Sequence, residues 1–404
     1  MTTTINNEHK NIKVPNLRFK EFQGEWKKCI LGDITENFNL RNKDKIQYPM
    51  FSVTNDRGFV PQSEQFEGRD MVGEDIKAYK IIHSNDFAYN PARINVGSIA
   101  MYTGEKPCMI SSLYVCFKTT KEVNNEWLMQ LLKTPKMNYY YNVNGEGGVR
   151  VYLFYPNFAR IRMSIPKIEE QKKIAKLLNL IDERIATQNK IIDKLQSLIK
   201  GLNNHLCQQH GNEIETSFAD LGVSYSGLSG KTAADFGSGK PFITYLNVYS
   251  NNVIDETSYQ YVRMGNNEKQ SIVRYGDVLF TLSSETPEEV GIGSVYLGNQ
   301  EVYLNSFCFG IHITNTQKSF SPYLSYYIST TQFRKFIYPF AQGSTRFNLC
   351  KADFEKATIK LPTLENQKRI YKALKSLSDK IMVEKATLEQ YSRQKQYLLR
   401  QMFI

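Results

Sequence analysis

Sliding the 404-residue sequence along itself by 196 positions aligns residues 145–207 with 341–403 without a gap. A repeat of this length constrains architecture more than any local propensity, because each copy has to find the same kind of packing partner. Gly147 meets Gly343, Arg150 meets Arg346, Leu153 meets Leu349 and Phe158 meets Phe354. Pro166, Glu169, Gln171 and Lys172 then meet Pro362, Glu365, Gln367 and Lys368, followed by Ile174, Lys176 and Leu178 against Ile370, Lys372 and Leu374. Each copy has the same order of parts: a Gly-x-x-Arg loop, an extended apolar segment such as 159–165, a proline and a long helix. The prolines close the extended segments, since the residue before proline is pushed out of the helical region. Glu169, Glu170 and Glu365 stand near the helix starts, where carboxylates favour the positive end of the dipole.

Within the first predicted helix, apolar residues fall at Ile174, Leu178, Ile181, Ile185, Ile192 and Leu195 and continue to Leu206, interrupted by Gln188. The second repeats the pattern with Ile370, Leu374, Leu377, Ile381 and Leu388, and Glu384 stands where Gln188 does. This alternating four-three spacing is a heptad seam, and a polar seam residue fixes register at some cost in stability. The two helices are therefore expected to pack on one another; the alternative is that each covers only the core of its own domain.

The remaining segments look like mixed α and β units. Strand-like runs fall at 48–53, 87–89, 97–102, 114–117, 242–248, 277–282, 293–297 and 307–313, punctuated by Gly and Asn, and short helical stretches at 126–132 and 322–329 precede the repeated loop. Upstream of that loop the two units diverge in sequence while keeping a similar order of elements. The expected organisation is a polar N-terminal segment 1–20, a globular domain 21–165, a helix 166–208, a second globular domain 209–361 and a second helix 362–404.

Charge is unevenly placed. The chain carries a net +11 and a pI near 9.1, which points to an anionic partner, most often nucleic acid. Residues 209–330 nevertheless hold six basic against twelve acidic residues, and 331–404 fifteen against six, so any phosphate-binding surface is a local patch. A basic face that simply meets solvent is the alternative. No apolar run approaches the roughly 18 residues needed to cross a bilayer and residues 1–20 lack the apolar stretch of a signal peptide, so a cytoplasmic location is expected. The six cysteines lack C-x-x-C spacing and read as reduced thiols. His205 and His210 have no acidic or thiol partner at ligand spacing, so no metal is expected.

Enzymatic signatures fail in turn. Gly230-Lys231-Thr232 resembles the end of a P-loop, but Tyr225 stands where its first glycine is required. Asn90-Pro91-Ala92-Arg93 lacks the second proline and the aromatic of the base-methyltransferase tetrapeptide. Glu170-Gln171-Lys172 offers a nuclease-like Glu-x-Lys without a partner Asp, and on a helix face reads as ordinary surface charge. No nucleophile, base and orienting group can be assembled from spacing, so neither catalysis nor a bound cofactor is expected of this chain.

Two divergent domains, each followed by a Pro-x-x-Glu-x-Gln-Lys-x-Ile helix, resemble the specificity (S, or HsdS) subunit of type I restriction–modification enzymes. The opening Pro15-Asn16-Leu17-Arg18-Phe19, Glu25-Trp26 and Leu31-Gly32-Asp33-Ile34 are also similar to that family, whereas the second domain has Phe218-Ala219-Asp220-Leu221-Gly222 in place of the Leu-Gly-Asp pattern. The resemblance implies an α+β fold with two mixed α/β target recognition domains, joined by two long antiparallel coiled-coil helices about a pseudo-two-fold axis. It implies a noncatalytic reader of double-stranded DNA in which each domain reads one half of a split, asymmetric target. The helices would space the halves and dock two methyltransferase subunits. Those partners would use S-adenosylmethionine for adenine-N6 methylation, and motor-nuclease subunits would add ATP- and Mg2+-dependent cleavage. From Ile174 to Leu206 such a helix rises about 48 Å, the length of about fourteen base pairs.

Within that frame Arg150 and Arg346 are candidates for phosphate contact; the alternative is a structural arginine tying loop to helix. In the first domain Arg41, Lys43, Asn55, Arg57, Lys80, Asn90 and Arg93 lie in or beside loops, and in the second Lys231, Lys240, Asn247, Ser283 and Ser284 do. Arg and Lys suit guanine and Asn suits adenine in the major groove. The basic helix faces with Lys172, Lys173, Lys176, Lys368, Arg369 and Lys372 would meet partner subunits or solvent. The competing reading is a coiled-coil adaptor with two protein-binding domains, motivated by the acidic stretch; a self-contained nuclease or methyltransferase is disfavoured by the failed motifs.

Overall fold

The computed structural model describes residues 14–65, 76–147, 151–208, 213–265 and 268–404. The chain divides into two compact units, Met1–Asn189 with Thr387–Ile404, and Lys190–Ala386. The long helices span Ile168–Gln208 and Leu364–Gln401, and each contributes one part to each unit. Mixed strands and helices give an α+β fold.

In the first unit a four-stranded antiparallel sheet runs in the order Thr35–Phe38, Val115–Thr119, Phe87–Tyr89, Ile99–Met101. The second unit repeats this order with Gly222–Ser226, Cys308–Ile313, Val278–Thr281 and Gly293–Val295. A two-stranded ribbon joins the start of each unit to the strand before its long helix: Lys27–Ile30 pairs with Arg162–Ile165, and Glu213–Thr216 with Ile359–Pro362. A single helical turn follows, Leu31–Ile34 or Phe218–Leu221. In each turn an aspartate caps the backbone, Asp33 accepting from the Ile30 N–H at 2.9 Å and Asp220 from the Ser217 N–H at 3.1 Å. The divergent Phe218–Leu221 thus occupies the place of Leu31–Ile34, and the second unit's first ribbon strand begins at Glu213.

The cores are aromatic and correspond across the repeat. Phe158 is fully buried with ring centroids 5.2 Å from Tyr89 and 5.3 Å from Phe117; Phe354 lies 5.1 Å from Phe218 and 5.2 Å from Phe280. Short helices are capped at equivalent threonines, Thr134 accepting from the Met137 N–H and Thr330 from the Phe333 N–H. Cys29, Cys108, Cys116, Cys308 and Cys350 are free thiols, and Cys108, Cys116 and Cys308 are buried.

The repeated glutamine explains why the helix motif recurs. Gln171 is almost fully buried; its Nε2 donates to the carbonyls of Glu122 (3.0 Å) and Pro166 (2.9 Å), and its Oε1 accepts from the Asn124 N–H (2.8 Å). Gln367 makes the same three bonds to Lys318 O, Pro362 O and Phe320 N–H, each at 2.8 Å. One amide thereby joins the start of the helix, the end of the ribbon strand and the loop entering the short helix. Neither a carboxylate nor an apolar residue can both donate twice and accept once.

Glu170 departs from the expected surface charge. It is 2% exposed, and its carboxylate takes both Nε and Nη2 of Arg18 at 2.8 Å and the Trp26 indole N–H at 3.2 Å. The Pro15–Trp26 segment is thereby fastened to the first unit, where Trp26 packs edge-on against Trp127. The equivalent residue in the second copy is Asn366, and no such segment precedes it.

The apolar positions of the two helices are covered to differing degrees within their units. Ile174, Leu178 and Ile181 share the first core with Leu398 and Met402; Ile370 and Leu374 lie in the second core, with Leu202 and Leu206 packed against it. Ile192 and Ile381 are buried, and Ile185, Leu195, Leu377 and Leu388 are half-buried. Within the first unit Lys395 pairs with Asp182 and the Arg184 guanidinium lies 6.0 Å from the Tyr391 ring centroid, so these two helical segments run in opposite directions. Gln188 is buried, and Glu384 pairs with Lys380 one turn earlier.

Two strand expectations are corrected. The run at 242–248 is a strand only to Ile243, because the Thr244 hydroxyl accepts from the Asn247 N–H and caps the helix Tyr245–Ser250. The segment 159–165 is extended only at Arg162–Ile165; the short helix Tyr155–Ala159, with Pro156 in its first turn, precedes it.

Several carboxylates in the acidic stretch of the second unit fasten loops. Asp235 is held below the ordinary carboxylate range by its bonds from Thr232, and Asp255 by those from Ser258 and Thr257. Glu268 receives Lys231 Nζ (2.5 Å) and the Gly265 N–H (2.8 Å), which depress it to about 2. Asp277 is shifted the other way by burial, while accepting from Tyr225, from the Arg274 N–H and from His312 Nδ1.

Two outcomes follow. Gln171→Leu and Gln367→Leu each strand one N–H and two carbonyls, and each should lower the stability of its unit by about 3 kcal/mol in denaturant unfolding; a loss under about 1 kcal/mol in both would contradict the clamp. Glu268→Gln should be less stable than wild type at pH 7, because a depressed folded-state pKa contributes stability above the unfolded value of 4.5. That difference should fade as pH falls from 4.5 towards 2; a difference that grows on acidification would contradict it.

Candidate nucleic-acid interface

In the first unit the predicted residues fall into two groups. Strand Lys80–Ile82 pairs with Cys108–Ile110, and Arg41 bridges to Lys80. Buried Asn42 pins the loop above by donating to Ile46 O (2.8 Å) and accepting from the Ile46 N–H (3.0 Å), leaving Arg41 and Lys43 exposed. Lys80 is half-buried and its ammonium donates to Tyr114 O at 2.6 Å, so it holds a turn.

The second group surrounds the hairpin Phe51–Thr54/Gly58–Pro61, whose turn exposes Asn55 and Arg57. Its neighbour is the loop after strand Phe87–Tyr89. There Asn90 accepts from the Ala92 N–H (3.0 Å), Ser98 donates to Val53 O (2.7 Å), and Arg93 is exposed. Gly97 has φ +104, and a Cβ there would sit 3.0 Å from Asn55 O, so a glycine lets the two loops touch. Asn55 and Arg57 on the hairpin turn and Arg93 on the touching loop are therefore all exposed, with Asn90 shaping the second loop from within.

In the second unit Arg346 stands at the tip of a tight hairpin, Ala341–Gly343 paired with Phe347–Leu349, and strand Ser283–Ser284 pairs on its other side. Gly343 has φ +143. The Arg346 guanidinium lies 5.7 Å from the ring centroid of Phe307, and both residues are exposed. In the first unit Glu146 and Tyr152 exchange two 2.8 Å backbone bonds at the position of Gln342 and Asn348, so the hairpin recurs. Arg150 lies outside the described residues.

Several predicted residues are occupied elsewhere. Ser283 and Ser284 are buried; Ser283 O accepts from Tyr245, and the Ser284 hydroxyl donates to Glu289 at 3.1 Å. Asn247 is 3% exposed, its amide donating to Asp255 O (2.9 Å) and accepting from the Asp255 N–H (3.0 Å), which closes the loop after its helix. The Lys231 ammonium is buried between Arg263 O (2.6 Å) and Glu268, in a loop that no α-helix follows, which is no phosphate cradle. Lys240 is exposed on an irregular strand in which Gly237 and Gly239 both have positive φ. Sequence reasoning missed two exposed apolar residues beside these groups, Leu113 and Phe307, because a lone apolar residue in a loop carries no periodic signal.

No group of three or more His, Cys, Asp or Glu among the described residues is arranged to hold a metal, and no helix among them is long and apolar enough to cross a membrane.

A model of the type I restriction modification DNA specificity domain matches residues 23–197 and again 231–391. The MjaX type I restriction enzyme specificity subunit of Methanocaldococcus jannaschii is 22% identical, covering 93% of this chain and 94% of that protein. The MjaVIII specificity subunit of the same organism is 23% identical over 79% of this chain and 78% of its own length. Among solved structures, the type I restriction-modification S subunit from M. genitalium superposes with a TM-score of 0.55 at 12% identity, covering 97% of this chain and 99% of its own. A chain from a structural study of complex assembly in the type I restriction-modification system does so at 0.59 and 15%, covering 93% and 96%. Two successive matches of one family model, falling on two units with the same strand order, place this chain in the type I restriction–modification specificity family, as a noncatalytic DNA-specificity subunit.

Proposed function

We propose that each unit reads one half of a split, asymmetric duplex target. The two long helices space the halves and dock two methyltransferase subunits. Adenine-N6 methylation with S-adenosylmethionine, and cleavage driven by ATP with Mg2+, belong to partner methyltransferase and motor-nuclease subunits in this reading. One observation carries it: ribbon, sheet order, caps and glutamine clamp are duplicated, while the loops they support differ in sequence and in exposed groups. A duplicated frame with unlike loops suits two unlike readouts. The first unit offers Arg41, Lys43, Asn55, Arg57 and Arg93; the second offers Arg346 and Lys240.

The helices suit the spacing role. The first has 41 residues and the second 38, which makes each about 60 Å long at 1.5 Å per residue. Exposed Lys172, Lys176, Lys368, Arg369 and Lys372 lie on them, available to a partner surface. Lys173 is instead paired with Glu21 and lies over the Phe19 ring. The acidic stretch that motivated a protein-binding adaptor is better explained by its carboxylates fastening loops.

Exchanging residues 23–158 for those of a relative, in the complete complex, should change one half of the methylated sequence and leave the other half intact. A change in both halves, or in neither, would contradict the division of labour. Arg346→Ala should weaken binding to every duplex and make the dependence of log affinity on log salt shallower by about 0.9, one phosphate contact. An unchanged slope would remove Arg346 from the phosphate-binding set.

A further inference from the structure

The two units share one surface feature that no sequence match marks. In the first, residues Ser111–Tyr114 form a β-turn closed by the Tyr114 N–H on Ser111 O at 3.2 Å, directly before the central strand Val115–Thr119. In the second, Asn305–Cys308 form the same turn, closed by the Cys308 N–H on Asn305 O at 3.0 Å, before Cys308–Ile313. The third residue of each turn is large and apolar, and it points into solvent: Leu113 is 78% and Phe307 55% exposed. Each has its N–H turned back onto a side-chain oxygen of the turn's first residue, Ser111 Oγ at 3.4 Å and Asn305 Oδ1 at 2.9 Å. Each turn is thus closed by two backbone N–H donors, and its apolar third residue is left exposed.

Each turn lies beside an exposed cation proposed to contact DNA, Arg41 by way of Lys80 in the first unit and Arg346 in the second. Lys80 holds Tyr114 O at 2.6 Å, and Arg41 bridges to Lys80. Phe307 lies beneath the Arg346 guanidinium, and its carbonyl accepts from the Leu282 N–H beside Ser283. A single exposed apolar residue needs no explanation. Two at the same turn, in domains whose loops otherwise diverge, each beside cations, do.

We infer that Leu113 and Phe307 are specificity-determining residues, each making apolar contact with bases of its own half-site while the neighbouring cations hold phosphates. Base contacts specify and phosphate contacts position, and apolar side chains read bases through thymine methyls or by wedging against a base step. The inference rests on the DNA-reading function proposed above.

The test uses the full chain with its methyltransferase partner, comparing wild type with Leu113→Ser and Phe307→Ser. The probes are the cognate duplex, duplexes with either half scrambled, and a random duplex. Wild type must first prefer the cognate duplex; if it does not, the DNA-reading proposal itself fails. Given that preference, each variant should lose about tenfold in cognate affinity, the cost of one mismatched pair, and should cease to discriminate in one half only. Random-duplex affinity, salt slope and thermal unfolding should be unchanged. Wild-type affinity in both variants would overturn the inference and leave the DNA-reading proposal standing. A loss shared by random DNA, or a shallower salt slope, would also overturn it, since the contact would then be to the backbone.

Discussion

A single buried amide on each long helix is the contact on which the rest depends. Gln171 and Gln367 each bond a ribbon strand, the helix start and the loop leading into the sheet-covering helix. The bonds to Pro166 O and Pro362 O are buried and the others part-buried, so each amide satisfies backbone groups where ribbon, helix and loop meet. Around it the elements fall into place: the capped turn at Asp33 or Asp220, the aromatic core about Phe158 or Phe354, and the hairpin that ends at Tyr152 or Asn348. The loops are built outward from this frame and can change without disturbing it.

Elements governed by local chemistry were legible in the sequence. The predicted helices 166–208 and 362–404 overlap Ile168–Gln208 and Leu364–Gln401, because proline, acidic first turns and a heptad pattern broken only at Gln188 and Glu384 among the seam positions named mark them. Strand Phe87–Tyr89 was read to the residue. The run after Phe242 was misread because its apolar residues continue into a helix, and only the Thr244 cap separates the two. Glu170 was misread because its partner, Arg18, lies 152 positions away, and burial by a distant segment leaves no mark on neighbouring residues.

The candidate interface was legible by composition and opaque in detail. Arg41, Lys43, Asn55, Arg57, Arg93, Lys240 and Arg346 are exposed in loops or on irregular strand, as polar and cationic residues in divergent segments tend to be. Asn247, Ser283, Ser284 and Lys231 have the same chemistry, yet they close loops from inside. Residue type alone cannot separate a group that reads a ligand from one that satisfies a carbonyl, since both need a donor. The net charge changes meaning in the same way. The second unit's acidic stretch contains carboxylates that hold turns, and its exposed candidates beside them are Lys240, Arg346 and the Phe307 ring.

The central claim is that two copies of one frame, carrying unlike loops, read the two halves of one split target. Sequencing of methylated adenines in cells with and without this chain tests it most directly. The account predicts an asymmetric motif with two specified parts separated by a fixed unspecified gap, present only when the chain is expressed. A continuous motif, a symmetric one, or a methylation pattern indifferent to the chain would contradict it.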